Sequence, residues 1–201
     1  GLTGRKHSGK DTCLKNLSNC DCEFEIVNYS FALPLKAQLK DLFDLTDDQL
    51  NDPILKEEVD KRYDKSPREL MQWFGTDCMR KQIDDNFWIK KFIRFYEKEI
   101  SNSKMGTSKD KVIIVTDVRF NNEATVIREL GGSIVKIERS DIDTVIPANK
   151  TNQHISETMA IRYDYLIKND TTVKDLQDRF LSILRYIIRG FVKYTSNRIK
   201  Y

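Results

Sequence analysis

Long apolar runs are absent from this 201-residue sequence: nothing approaches the roughly 20 consecutive apolar residues that a membrane-spanning helix needs, so no membrane protein is expected. Cysteine is scarce too. The four present, Cys13, Cys20, Cys22 and Cys78, form no second C-x-C or C-x-x-C pair, and no histidine stands beside Cys20-Asp21-Cys22 to complete a zinc site. Reduced thiols in a cytoplasmic compartment are the simpler reading, and no signal peptide precedes the first motif. Neither sign of charge dominates. The net charge of +3 is too small to imply nucleic acid by itself, although it suits anionic ligands. With no internal repeat or low-complexity segment, a chain of this length is expected to form one globular domain spanning residues 1–201.

What is present begins at once. Gly4-Arg5-Lys6-His7-Ser8-Gly9-Lys10 has the G-x-x-x-x-G-K spacing of a phosphate-binding loop. Glycine tolerates positive φ and lets backbone N–H groups approach phosphate oxygens with no Cβ in the way. Lys10 then reaches the outer phosphates of a triphosphate as a point charge, and a helix opening near Gly9 turns its N-terminus toward them. One position is irregular: Asp11 stands where Ser or Thr usually holds Mg²⁺, and the hydroxyl follows at Thr12. Such a loop needs a strand feeding it. Only Gly1, Leu2 and Thr3 precede Gly4, so further apolar residues are expected ahead of this numbering.

Strands and helices alternate in the remaining pattern. A first helix is expected over 11–19, strands over 23–29, 111–116, 134–137 and 163–167, and helices over 84–100, 122–130 and 173–188. Ser30 to Phe43 reads as a helix with Pro34 near its start, and 44–64 as a polar, exposed excursion. Together they predict a three-layer α/β fold whose sheet is mainly parallel.

Three segments beyond the loop carry candidate chemistry. Ser66-Pro67 opens a helix, serine as N-cap and proline in the first turn. On a wheel of 3.6 residues per turn, Leu70, Met71, Trp73, Phe74 and Cys78 share one face, while Arg68, Gln72, Gly75, Thr76 and Arg80 share the other. A helix-interior glycine is costly, and close approach of a planar base or a phosphate at Gly75 would justify it. The β-branched run 111–116 leads into Asp117 and Arg119, at the carboxyl end of a strand where ligands of parallel sheets bind. Segment 140–157, with Lys150, His154 and Glu157, has no apolar period and reads as a lid. The basic tail after Phe180 reads as a solvated helix end rather than a nucleic-acid surface.

In order along the chain, 4–12, Phe31-Ala32-Leu33-Pro34-Leu35-Lys36, 68–77, Asp117-Val118-Arg119-Phe120-Asn121-Asn122-Glu123, His154-Ile155-Ser156-Glu157 and Ile167-Lys168-Asn169-Asp170 resemble the deoxynucleoside monophosphate kinases of bacteriophages and large DNA viruses. The G-K-x-T at Gly9 to Thr12 is similar to the loop of monophosphate kinases, in which magnesium is held largely through water. The resemblance implies a P-loop kinase fold with a mainly parallel five-stranded sheet, a helical monophosphate-binding region over about 31–100 and a lid over about 140–157. It also implies transfer of the γ-phosphoryl of ATP to a deoxynucleoside monophosphate, in the host cytoplasm if the source is viral.

Carried over by position, Lys10 and the backbone of Gly4, Ser8, Gly9 and Asp11 cradle the donor phosphates, with Thr12 in support. Lys36, Arg68, Gln72, Gly75 and Arg80 face the acceptor, with Trp73 or Trp88 stacking on its base. Asp117 and Thr12 order hydrated Mg²⁺, Arg119 clamps phosphate, Arg139 and Lys150 are lid cations, and Asn169 receives adenine. His154 and Glu157 belong to the lid. The expected partners are ATP and deoxynucleoside monophosphates, with homodimerisation left open. A kinase of another acceptor, such as dephospho-coenzyme A, and a non-catalytic nucleotide-binding module remain the alternatives.

Overall fold

The computed structural model describes residues 1–15, 17, 24–103, 110–140 and 159–198. In chain order the elements are β1 (Leu2–Thr3), α1 (Lys10–Leu14), β2 (Phe24–Tyr29), α2 (Ala32–Phe43), α3 (Asp47–Asn51), a 3₁₀ turn (Leu55–Glu57), α4 (Pro67–Gln72), a π-helix (Trp73–Ile83), α5 (Phe87–Ser103), β3 (Asp110–Val115), α6 (Asn121–Glu129), β4 (Val135–Glu138), β5 (Tyr165–Lys168) and α7 (Val173–Arg198). They fall into two compact units, one made from Gly1–Asn28 with Lys109–Tyr201 and one from Tyr29–Ser108.

In the first unit, β1, β4 and β5 form a parallel sheet in the order β1-β4-β5, with Leu2 opposite Val135 and Val135 opposite Tyr165. Strands β2 and β3 pair separately. The expected single five-stranded sheet is therefore a three-stranded and a two-stranded one. A two-residue β1 presents too few backbone groups for a second ladder, and a hydrogen bond from the Val118 N–H to the Leu2 carbonyl (3.0 Å) joins it to the chain just past β3. One apolar cluster nevertheless serves both sheets. Leu2, Ile114, Val135, Ile137 and Ile167 bury against Cys13 from α1 and Leu176, Phe180 and Leu184 from α7, with Phe24 and Ile26 of β2 packed on its margin. The α7 residues recur at spacings of four, the period that gives one helix face to the core.

Helix α1 is shorter than expected: Lys15 turns to extended backbone after Leu14, and the Gln177 amide of α7 donates to the Thr12 and Lys15 carbonyls (3.1 and 2.8 Å), satisfying groups at its C-terminal end.

The second unit is helical. Its aromatic centre is Tyr29, whose ring lies 5.7 Å from Phe31, 5.0 Å from Phe92 and 4.7 Å from Phe95 between centroids. Those separations and their tilted or edge-on angles suit aromatic quadrupoles. Ser66 caps α4 as its sequence predicts: its hydroxyl accepts the Glu69 N–H (3.2 Å) while the Glu69 carboxylate accepts the Ser66 N–H (2.7 Å). The segment 44–64 is largely exposed, as expected, with two leucines turned in. Thr46 and Gln49 form a second capping box that opens α3, and Leu45 and Leu50 are buried.

Candidate functional site

Strand β1 delivers the chain into the loop Gly4–Lys10. Two of its residues require glycine: Gly4 lies at φ 146° and Gly9 at φ 104°, both left-handed. A Cβ on Gly4 would sit 2.3 Å from the backbone oxygen of Ile137 in β4, so the loop presses directly against the sheet. His7 also has positive φ, 63°, a strained value for a residue with a side chain, costing about 1–3 kcal/mol. The Ser8 N–H donates to the Arg5 carbonyl (3.2 Å) and closes the turn, and the Cys13 N–H donates to the Gly9 carbonyl (3.0 Å) and starts α1.

Lys10 occupies the centre of this loop. Its ammonium donates to the carbonyls of Gly4 (2.6 Å) and Arg5 (2.7 Å), with the Ser8 hydroxyl at 3.4 Å. Burial pushes its pKa down from 10.5 to about 8; Arg119 pushes the same way, and Asp11 and Asp117 only partly oppose it. The loop thus holds a cation whose charge is under-compensated, and an anion placed there would relieve it. α1 has only five residues, so what the loop offers an anion is this charge and its backbone N–H groups rather than a helix dipole.

A pH signature follows from the sign of that shift. Between about pH 8 and 10.5 the unfolded chain binds more protons at Lys10 than the folded one, so this group's contribution to stability rises with pH across that window; below about 8 its penalty is present in full. A bound polyphosphate restores the protonated form. Calorimetry of ATP binding at pH 8.5, in buffers of different ionisation enthalpy, is therefore expected to show fractional proton uptake that vanishes at pH 6.5. Equal uptake at both pH values would contradict the assignment.

Past β3, half-buried Asp117 and exposed Arg119 act electrostatically on Lys10, which places both beside the loop. Arg119 is anchored through its backbone, because the Glu123 carboxylate accepts the N–H groups of Arg119 (2.8 Å) and Phe120 (3.0 Å). Glu123 is buried at 3 % exposure and positions this turn, a role not assigned to it from sequence. Its signal was a glutamate at the third position of α6, half of a capping box whose other half, at Phe120, has no hydroxyl. Asn169 follows β5 and donates its amide to the Ser8 carbonyl (2.9 Å). Arg139 lies exposed just past β4, Asp11 is exposed and Thr12 half-buried. Cys13 is sealed off: burial raises its thiol pKa to about 12, and it donates to the Lys10 carbonyl (2.9 Å). Lys150, His154 and Glu157 lie outside the described residues.

The second unit holds the remaining candidates, and there the wheel inverts. From Trp73 to Ile83 the chain is a π-helix with i→i+5 bonding, closed by the Asp84 N–H on the Met79 carbonyl (2.9 Å). Gly75, Thr76 and Arg80, expected on the polar face, are buried, and Trp73, expected on the apolar face, is 43 % exposed. Gly75 and Arg80 are five apart, the spacing this bonding brings into line. The close approach at Gly75 is made by Leu35, whose Cδ2 would lie 3.0 Å from an added Cβ. Trp88 is buried at 5 % exposure and donates its indole N–H to the Gly75 carbonyl (2.9 Å), so its ring packs the core and does not offer a stacking face. Trp73 does. Arg80 pairs with Asp85 (3.1 Å), Arg68 with Glu57 (2.5 Å), and Lys36 of α2 donates to Asn51 of α3 (2.8 Å). Gln72 ends α4, half-buried.

Comparison with known proteins gives one consistent result. The family model described as deoxynucleotide monophosphate kinase matches residues 52–180. A chain of Acanthamoeba polyphaga mimivirus named "Putative deoxynucleotide monophosphate kinase" is 31% identical over 192 residues, covering 90% of this chain and 93% of its own length. The proteins named deoxynucleotide monophosphate kinase of Escherichia phage RB69 and Enterobacteria phage T4 are 31% and 30% identical over 122 and 125 residues. Those matches span 60% and 61% of this chain but only 45% and 46% of the phage proteins.

Proposed function

The chain belongs to the deoxynucleotide monophosphate kinase family, and we propose from this that it transfers the γ-phosphoryl group of ATP to a deoxynucleoside monophosphate, giving the diphosphate and ADP. The observation that carries the reading is the loop Gly4–Lys10, with its two left-handed glycines and a half-buried, under-compensated lysine on which Asp117 and Arg119 act electrostatically. No helix among the described residues is long and apolar enough to cross a membrane.

Phosphoryl transfer asks for alignment and charge neutralisation rather than covalent work by the protein. Lys10 leaves the Gly4 and Arg5 carbonyls for the donor's outer phosphates, where its three N–H donors offset the charge that spreads over the transferring group. The backbone of Ser8, Gly9 and Asp11 holds the same phosphates. Arg119, on a turn fixed by Glu123, adds a second cation, and no general base is required.

Magnesium fits the described donor set as a hydrated ion. Among the described residues no three His, Cys, Asp or Glu side chains converge as a metal cage. The Thr12 hydroxyl and the Asp117 carboxylate suit a hydrated Mg²⁺ that takes its other ligands from water and substrate phosphates. When bound, Mg²⁺ offsets negative charge on the β- and γ-phosphates.

On the acceptor side, Arg68 holds the monophosphate, Lys36, Gln72 and Arg80 supply polar support, and Trp73 offers its open ring to the base. Arg68→Ala is expected to raise the KM for the monophosphate about tenfold or more while changing the KM for ATP less than about threefold. The opposite split in steady-state kinetics would mean that the two pockets are exchanged. The decisive test of the function is a coupled ADP-release assay with ATP against every deoxy- and ribonucleoside monophosphate. ADP release with deoxynucleotides supports the reading; ATP binding with no release for any of them overturns it.

A further inference from the structure

Asn169 holds the phosphate loop from outside. It follows β5, and its backbone N–H donates to the Glu138 carbonyl (2.7 Å), so the β4–β5 pairing fixes where its side chain starts. From there the side-chain amide crosses to a residue 161 positions earlier and donates to the Ser8 carbonyl (2.9 Å). A carbonyl only accepts, so the nitrogen end of the amide must be the one facing it. The same nitrogen fills the space that Gly9 leaves open: a Cβ on Gly9 would meet it at 2.5 Å. Asn169 therefore touches two consecutive loop residues, one by hydrogen bond and one by contact.

The geometry of the peptide unit turns this contact into a function. The Ser8–Gly9 peptide is trans and planar, so its carbonyl and the Gly9 N–H point in opposite directions. Tying the carbonyl to Asn169 aims the Gly9 N–H at the other side. Gly9 at φ 104° is also the residue with the least intrinsic resistance to a peptide flip, since glycine occupies either sign of φ with little strain. Ser8 is buried at 2 % exposure, so its carbonyl has no ready exchange of partner with bulk water.

We propose that Asn169 is a positioning residue for the phosphate loop, acting through the Ser8 carbonyl to fix the orientation of the Gly9 N–H, and that it reads the donor's polyphosphate rather than its base. The inference rests on the reading of Gly4–Lys10 as a phosphate-binding loop. It replaces the adenine contact expected at this position from the family resemblance.

The experiment compares Mg²⁺-ATP with Mg²⁺-tripolyphosphate, which has the phosphates and no base, by calorimetry on the full chain, on Asn169→Ala and on Asn169→Asp. Loss of the donor is expected to weaken both ligands by the same factor, about tenfold in Asn169→Ala and more in Asn169→Asp, where a carboxylate faces a carbonyl. The KM for the monophosphate should stay within about twofold of the original, which a general loss of structure would not allow. Asn169→Asp is isosteric and keeps the measurement open if the alanine variant does not fold. A loss confined to ATP would make Asn169 a base contact and overturn the proposal. So would unchanged affinity for both ligands, or failure of the unsubstituted chain to bind tripolyphosphate. If that chain binds tripolyphosphate, the variants lose it, and no monophosphate yields ADP, the kinase reading fails while this inference stands.

Discussion

Lys10→Met is expected to lower kcat/KM for phosphoryl transfer by about a thousandfold while the protein stays folded. The loss follows from where charge develops: the ammonium already has its donors inside the loop, on the Gly4 and Arg5 carbonyls, and a thioether offers the transferring phosphoryl group nothing. The folded state tolerates the change because two effects oppose each other. Methionine forfeits the hydrogen bonds to the loop carbonyls, yet it removes a half-buried charge unfavourable enough to bring the lysine pKa down to about 8. Met is also close to Lys in length and flexibility, so the site stays filled. Urea unfolding should accordingly shift by no more than about 1 kcal/mol at pH 7. Turnover retained within tenfold would remove the phosphate-loop assignment altogether.

Gly4→Ala is expected to be the most destabilising single methyl addition in the first unit, by at least about 3 kcal/mol, with ATP affinity lost in parallel. The added Cβ would meet a backbone oxygen of β4 at 2.3 Å, and that atom cannot move without shifting the β1–β4 ladder. At φ 146° the strain remains even if the strand gives way. Gly190→Ala is the contrast. An added Cβ there meets nothing within 4 Å, and the residue lies inside α7, so the same methyl group should stabilise by about 0.5–1 kcal/mol through helix propensity. Denaturation midpoints of the two variants should move in opposite directions. A Gly4→Ala protein as stable as the original would show that the loop does not press on the sheet.

Features governed by local chemistry were legible in the sequence. The loop spacing, the β-branched run that became β3, and the serine and proline opening α4 each depend on residues within a few positions of one another. What escaped depends on distant partners or on a change of period. The π-helix is the clearest case: a wheel drawn at 3.6 residues per turn assigned Gly75, Thr76 and Arg80 to the outside, and the change to i→i+5 bonding turned them in. Helix α3, at five residues, is too short to show a period at all, and only its Thr46 and Gln49 spacing announces it. Trp88 could have been an exposed stacking platform or a core residue on sequence grounds; its hydrogen bond to the Gly75 carbonyl is what decides. Glu123 and Asn169 were both inside recognisable motifs, but their partners are backbone groups, which no side-chain pattern reveals.

The first unit is assembled from both ends of the chain, with 29–108 inserted between its parts, and this bears on the order of events during synthesis. The inserted unit is contiguous and emerges whole from a ribosome. The loop emerges earlier still, but its support does not: Ile137, which Gly4 abuts, and Asn169, which holds Ser8, come more than 130 residues later, followed by Gln177, which closes α1. Contacts of such separation form slowly. A nascent chain arrested at about residue 160 would therefore display a folded helical unit and a loop sequence unable to retain ATP, and nucleotide binding would appear only as α7 is completed.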